Sequence, residues 1–373
     1  MIKKCIFHYP HPINENPGTG SEVRPYRMVK AFEQNGYIVD KVIGYGKDRK
    51  NAILKIKDNL KKGVRYDFLY SESLTQPTLL AEEDHFPRYP FLDFNFFNLC
   101  KKYHIPIGLF YRDMHWKFPE YKEAVSWYKR CITIPLYKWD LFNYKKLLKI
   151  LYVPAEGFKD YLSKEILIKS LPPGCKENVD IVNAKKVRKD RKTKELHIFY
   201  VGGVKGIYNP YSFIKAVNHC KNVTLTICTT QEQWEMNKER YKDLLCERIK
   251  IIHKKSQELA PYYKEADVSI LCQESNLYMD MSSPIKAKET LGYGTPIIIS
   301  SNLSLSKVVQ KENYGWVVDA NVKDIEKLLV FLSEHFEEIK EKTLCAIDAI
   351  NKNTWEARAE QVATELMEFG KEI

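Results

Sequence analysis

Residues 282–301 read SSPIKAKETLGYGTPIIISS, which has the punctuation of a short capped helix feeding a buried strand. Ser283 suits the N-cap, and Pro284 suits the first helical position, where its missing N–H would be unpaired in any case. Gly292 and Gly294 accept the positive φ that ends a helix, and Pro296 stops the helix from resuming. Ile297, Ile298 and Ile299 then form the β-branched run expected of a parallel strand covered on both faces. A helix start of this kind presents unpaired amides and partial positive charge, a ready anion site. Lys286 adds a cation in the first turn. Glu289, three residues on, shares its helical face and can accept hydrogen bonds from a diol. Ser283, Pro284, Ile285, Lys286 and Glu289 together describe a place for a nucleotide diphosphate and its ribose. The same residues also serve as plain helix punctuation with a solvated Lys and Glu, so this stretch alone leaves both readings open.

At 373 residues the chain exceeds the usual size of one domain, and its 44% hydrophobic content supports ordinary globular cores. No run of about 18 apolar residues suits a membrane-spanning helix. The opening MIKKCIFHYP is too short and interrupted for a signal peptide and reads as a first strand. The nine cysteines are scattered and form no CxxC pair, so reduced core thiols in a cytoplasmic protein are expected, not disulfides or zinc. A net charge of +11 implies an anionic partner: nucleotide, lipid head group or nucleic acid. No helix-turn-helix, zinc or RNA-recognition signature accompanies that charge, so nucleic acid is not an expected partner.

In chain order, Lys3–Tyr9 is a strand, followed by a loop containing Gly18, Thr19 and Gly20 and an amphipathic helix over about Glu22–Asn35. Gly36 closes that helix before a strand at Tyr37–Ile43. This start predicts a doubly wound sheet, whose ligands bind at the carboxyl ends of its strands. GTGSEV lacks the third glycine of the dinucleotide fingerprint, which argues against NAD. Strands at Asp67–Tyr70 and Ile105–Tyr111 follow, and the second leads into Arg112, Asp113, His115 and Trp116. Asp113 and His115 thus stand where a crevice would use them, although an Asp–Arg pair at a strand end also has structural uses. Residues 117–149 interleave Trp127, Tyr128, Tyr137, Trp139 and Phe142 with Lys122, Lys129, Arg130, Lys138, Lys145, Lys146 and Lys149. They read as a surface helix pair broken near Pro135, or as a face for an anionic membrane.

Strands at Ile150–Val153 and Ile166–Leu171 precede Pro172-Pro173-Gly174, and Lys176–Lys194 reads as a charged linker or solvated loop. The pattern then restarts. Leu196–Val201 is a strand leading into Gly202-Gly203-Val204-Lys205-Gly206, and strands follow at Val223–Cys228, Ile249–Ile252, Asp267–Cys272 and Gly315–Val318. Helices are expected at 210–220, 259–265, 323–336 and 354–369. Lys205 and Lys286 become two cations on amide-rich loops of one doubly wound sheet. Four segments follow: a Rossmann-like domain over 1–175, a linker over 176–194, a second Rossmann-like domain over 195–353 and a closing helix over 354–373.

On these residues the chain resembles a GT-B glycosyltransferase, most of all the family-4 group with its predominantly retaining members. The likeness rests on GTGSE with its following helix, PPG at the domain junction, YVGG opening the second domain, SSPIKAKETLGYGTPIIIS, and NTWEARAEQ near the end. Its most specific part is P-x-K-x-x-E-x-x-x-x-G-x-P, here Pro284, Lys286, Glu289, Gly294 and Pro296. The resemblance implies two α/β domains facing a central cleft, with the last helix crossing back onto the first. It implies that Glu289 binds the donor ribose and that Gly202 and Gly203 lie at the donor phosphates. Where relatives carry an earlier glutamate this chain has Met281, with Asp280 adjacent. Where many have a phosphate-binding arginine and a lysine it has Gly203 and Tyr208, and Arg112 replaces a histidine.

The expected reaction is metal-independent transfer from a nucleotide diphosphate sugar, with no further cofactor. Lys205, Lys286 and the helix start would neutralise the leaving diphosphate. No Asp-x-Asp metal motif occurs. The resemblance implies retention of anomeric configuration in a hexosyltransferase-type enzyme of surface polysaccharide synthesis. The acceptor, a saccharide or lipid-linked saccharide, would bind near Gly18, Thr19, Gly20, Asp113 and His115. The expected location is the cytoplasm, with 117–149 peripheral on the inner face of the cell membrane. A nucleotide-sugar epimerase and an inactive sugar or nucleotide binder are the alternatives.

Overall fold

The computed structural model describes residues 2–15, 20–187, 195–255, 258–281 and 283–370. The chain divides into two compact units, residues 1–173 with 355–373, and residues 174–354. Each is built on a six-stranded parallel sheet.

In the first unit the strands are β1 (Lys4–Tyr9), β2 (Ile38–Ile43), β3 (Phe68–Glu72), β4 (Ile107–Phe110), β5 (Ile150–Val153) and β6 (Leu167–Ser170), in the order β2-β1-β3-β4-β5-β6. The central strands are apolar runs buried on both faces, as a sheet sandwiched between helices requires. Its helices are α1 (Gly20–Gln34), α2 (Gly46–Lys61), α3 (Leu92–Lys102), α4 (Pro119–Ala124) and α5 (Trp127–Leu147). Residues 355–370 form the chain's closing helix, which belongs to this unit and packs against α1. Trp355, Ala359, Val362 and Leu366 join Phe7, Phe32 and Tyr70 in one core. Gly108 in β4 makes room for it, because a Cβ there would stand 3.0 Å from the Leu366 side chain.

The expected break near Pro135 does not occur. α5 runs unbroken through Pro135, and the helix pair divides instead at Val125–Ser126. Pro135 and Cys131 are both exposed, so the carbonyl that the missing N–H releases is open to water.

The second unit repeats the plan with β7 (Leu196–Val201), β8 (Val223–Cys228), β9 (Ile249–Ile252), β10 (Val268–Leu271), β11 (Ile297–Ser300) and β12 (Gly315–Val318), ordered β12-β11-β10-β7-β8-β9. Its helices are α6 (Val179–Lys186), α7 (Tyr211–His219), α8 (Gln231–Asn237), α9 (Ala260–Glu265), α10 (Leu277–Asp280), α11 (Ile285–Gly292), α12 (Leu305–Lys311), α13 (Val322–Glu334) and α14 (Phe336–Ile350). The closing helix of the first unit is α15 (Trp355–Gly370).

The linker expected over 176–194 is corrected here. Residues 179–186 are helix α6, capped by the Asn178 side chain, which accepts from the Ile181 N–H at 3.1 Å. Lys185, read as part of a solvated run, is buried and donates to the Ala266 carbonyl and to Thr295 Oγ1. Burial of Ile181 and Val182 outweighs the local charge density. Residues 188–194 lie outside the described residues. The helix expected over 323–336 is α13, and a further helix that the sequence reading did not place, α14, follows directly after His335. All nine cysteines are free thiols, six of them buried.

Candidate active site

In the second unit the chain leaves β7 for β8 on one side and later places β10 on the other. The strand order therefore reverses between β7 and β10, and the crevice outside their carboxyl ends is the ligand position of such a sheet. Both stretches singled out in the sequence lie after these strands: 202–206 follows β7 directly, and α11 of the 282–301 stretch comes after β10, beyond the short helix α10.

The loop after β7 is pinned from beneath. The Tyr200 hydroxyl donates to the Gly203 carbonyl at 2.7 Å and the Tyr241 hydroxyl to the Val204 carbonyl at 2.7 Å. The Gly202 N–H bonds the Cys228 carbonyl at 3.0 Å, while the Gly203 N–H finds no acceptor among the described residues. Gly202 has a packing reason to be glycine, since a Cβ would lie 2.5 Å from the Tyr200 oxygen. At Gly203 a Cβ would meet Gln233 Oε1 at 3.1 Å and Tyr208 at 3.2 Å, so a larger side chain requires those neighbours to move. Lys205 is exposed and precedes a single 3₁₀ turn, in which Gly206 takes φ +56°.

At α11 the predicted cap is corrected. Pro284, not Ser283, is the N-cap, and no side chain caps the helix. Ser283 Oγ is shielded from water and without a hydrogen-bond partner. A Pro-initiated turn holds φ and ψ without needing a capping oxygen, which leaves both that hydroxyl and the first-turn amides of Ile285 and Lys286 for another group. Lys286 Nζ donates to Glu289 Oε2 at 2.7 Å, so these two share one face as a half-exposed ion pair. At the other end of α11, Gly294 takes the positive φ (+60°) and Gly292 does not. Gly292 is required by a close approach instead: a Cβ would stand 2.2 Å from the Lys176 carbonyl oxygen.

Met281, where the resemblance places a glutamate, is buried. The adjacent Asp280 is committed to its own loop. Its carboxylate accepts from Ser275 Oγ (2.6 Å), the Asn276 N–H (3.1 Å) and Asn302 Nδ2 (2.5 Å).

In the first unit the order reverses between β1 and β3. Gly18 and Thr19 lie outside the described residues, and Gly20 begins α1. A cavity of about 220 Å³ opens beyond β1, lined by Tyr9, His11, Glu22 and Tyr45. The His11 ring stands edge-on to Tyr45 with centroids 5.3 Å apart. Asp113 and His115 follow β4 as expected, and they engage each other. Asp113 Oδ1 accepts the His115 N–H at 2.9 Å, and the His115 ring packs edge-on against Tyr121.

Two polar clusters in this unit escaped the sequence reading. Arg24 and Arg112 both approach the buried Glu72 at 3.3 Å, and the Arg24 guanidinium lies 3.4 Å over the Phe110 ring. Below them His8 contacts Ser71 Oγ at 2.7 Å and Asp93 at 2.9 Å, while Arg49 bonds both Asp93 oxygens. The Ser–His–Asp chain has the spacing of a nucleophile relay, yet all three residues are at most 3% exposed, so it ties β1, β3 and α3 together. Burial pushes His8 below its usual pKa. Burial would raise Asp93, but the bond to His8 and the Arg49 charge hold it below the usual carboxylate range. The sequence signals for the first cluster were Arg112 after β4 and an Arg one turn into the helix after the glycine loop; the second had none. Among the described residues no three His, Cys, Asp or Glu side chains group as metal ligands, and no helix is long and apolar enough to cross a membrane.

Comparison with known proteins bears on the fold. Residues 182–341 match the model of the family described as glycosyl transferases group 1. No curated protein matches the chain. Among solved structures it is similar to sucrose-phosphate synthase from Thermosynechococcus elongatus (14% identity, all of both chains covered, TM-score 0.64). It is also similar to a glycosyltransferase from Rickettsia africae (10%, 99% of both chains, 0.62). A third is Anabaena HepE, solved with UDP and glucose (10%, 97% of this chain and 98% of that one, 0.61). At such identities the likeness establishes the fold.

Proposed function

We propose that the protein transfers a sugar from a nucleotide diphosphate sugar to a saccharide or lipid-linked saccharide; the match of residues 182–341 to the group 1 glycosyl transferase model, on a chain with the GT-B fold, supports this reading. The observation that carries the donor reading is the start of α11, where a shielded, unpartnered Ser283 hydroxyl and open first-turn amides adjoin Lys286 and Glu289. The diphosphate takes the amides, with Lys286 and Lys205 as counter-charges, and the ribose diol takes Glu289. Lys286 reaches phosphate by leaving Glu289, which costs little for a half-exposed pair. HepE, whose structure contains UDP and glucose, supports a donor of this class.

In the transfer, the bond from the anomeric carbon to phosphate oxygen breaks and a bond to the acceptor oxygen forms on the same face. The acceptor proton passes to the leaving phosphate. That route retains configuration and needs no protein nucleophile, no metal and no other cofactor. The acceptor sits in the first unit near Gly18–Gly20, Asp113 and His115, and the aromatic walls of the Tyr9–His11–Tyr45 cavity suit the apolar face of a sugar ring. The protein works in the cytoplasm, at the inner face of a membrane carrying the lipid-linked acceptor. A second reading, a sugar or nucleotide binder without activity, is favoured by buried Met281 and committed Asp280.

A thermal-shift screen of nucleoside diphosphates and nucleotide sugars tests the donor site, because ligand bound only to the folded state raises its melting temperature. One nucleotide is expected to raise Tm by several degrees in the wild type and not in Glu289→Ala. No shift with any nucleotide removes the donor reading. Binding without donor turnover, with or without acceptor, selects the inactive binder. Flotation with liposomes tests the membrane face, and binding is expected to rise with the fraction of anionic lipid.

A further inference from the structure

Between α5, β5 and the 162–166 loop, the first unit holds an open cleft of about 240 Å³. Its walls are apolar: Leu141 from α5, Leu151 from β5, and Leu162 and Ile166 from the loop. Its mouth is cationic, with Lys138 and Lys145 one above the other on the α5 face and exposed Phe142 between them. Lys146 continues this face, its ammonium 3.9 Å over the Phe142 ring. The one acid at the rim is Glu165, which pairs with Lys145, and both partners are substantially exposed.

An apolar slot beneath two lysines is complementary to a hydrocarbon chain ending in an anion. We propose that this cleft takes one acyl chain of an anionic lipid, with its head group at Lys138 and Lys145. The head group displaces Glu165 from Lys145, and an exposed ion pair resists such exchange weakly. The long lysine stems lie along the hydrocarbon while their charges stay in water. This inference builds on the anionic-surface reading of 117–149 and narrows it to one slot and one ligand class.

Binding of hexyl, octyl and decyl phosphate below their micelle concentrations tests it by calorimetry, with inorganic phosphate and decyltrimethylammonium as controls. Each buried methylene tightens binding about fourfold, so affinity is expected to rise at least tenfold from hexyl to decyl, with one site per chain. Inorganic phosphate is not expected to bind. Ile166→Trp and Leu162→Trp, each filling the slot from a different position, are expected to weaken decyl phosphate at least tenfold. The exposed pair Lys138→Glu with Lys145→Glu leaves the core untouched and is expected to reverse the preference toward the alkylammonium. Affinity independent of chain length, or unchanged in the folded Trp variants, overturns the proposal. If decyl phosphate binds while anionic vesicles do not, the slot stands and the membrane reading falls.

Discussion

At the scale of single residues, burial decides what a side chain does. Asp140 on α5 carries this furthest. Its Oδ2 accepts the Thr78 N–H at 2.8 Å, its Oδ1 has no partner, and burial with the nearby Asp93 charge pushes it up to about 7. A carboxyl whose folded-state pKa is raised stabilises fully below its unfolded value, near 3.8, and loses that contribution as pH rises through about 7. Asp140→Asn keeps the acceptor and removes the charge. Wild-type stability relative to this variant is therefore expected to fall at about 1.4 kcal/mol per unit from pH 5 to about 7, by roughly 3 kcal/mol in all, and to level off above that. Urea denaturation across that range measures it, and parallel profiles would refute the assignment. Nothing in the string KWDLFN marks Asp140 as buried, because that depends on Thr78, 62 residues earlier, being brought to it. Lys185 is the same lesson with the opposite charge: a lysine in a basic run that turns inward because two oxygens await it.

At the scale of elements, periodicity and punctuation were legible where the segment's own residues set its state. The strands at 196–201, 223–228, 249–252 and 315–318 stand where the apolar runs put them. Pro135 was misread because the cost of an interior proline depends on whether the carbonyl it frees is buried. In α5 it faces water. The remaining penalty is helix propensity and one lost bond, so Pro135→Ala is expected to stabilise the first unit by about 1–3 kcal/mol. Thermal unfolding checks this, and an unchanged or lowered Tm would mean the proline is needed where it is. Ser283 shows the same limit at the candidate site. Its residue type predicted a cap, yet the turn is set by Pro284, and the hydroxyl is left unpartnered.

At the scale of the whole molecule, the first unit is completed from the far end of the chain. α15 lays Trp355, Val362 and Leu366 against α1 and the sheet, and Asn35 Nδ2 donates to the Glu356 carbonyl at 2.9 Å. Leu366→Ala leaves a hole beside Gly108 and is expected to cost about 2–5 kcal/mol. Hydrogen exchange should then accelerate at β3 and β4 and stay unchanged at β7–β12. Equal acceleration in both units would show that they do not unfold as separate cores.

The sequence by itself determined the two doubly wound sheets, the position of the α11 motif after β10, and the glycine loop after β7. Each is written in local terms: β-branched runs, helical spacing, and Gly or Pro at the turns. Only the tertiary structure decided which polar residues are spent internally and which remain for a ligand. Asp280 is used up by Ser275 and Asn302, His8 by Asp93, and Lys286 is held by Glu289, while Ser283 is left without a partner. The physical reason is that a polar group's free energy depends on its partners and its burial, which the folded chain sets, often through segments far away in the sequence as with His8 and Asp93.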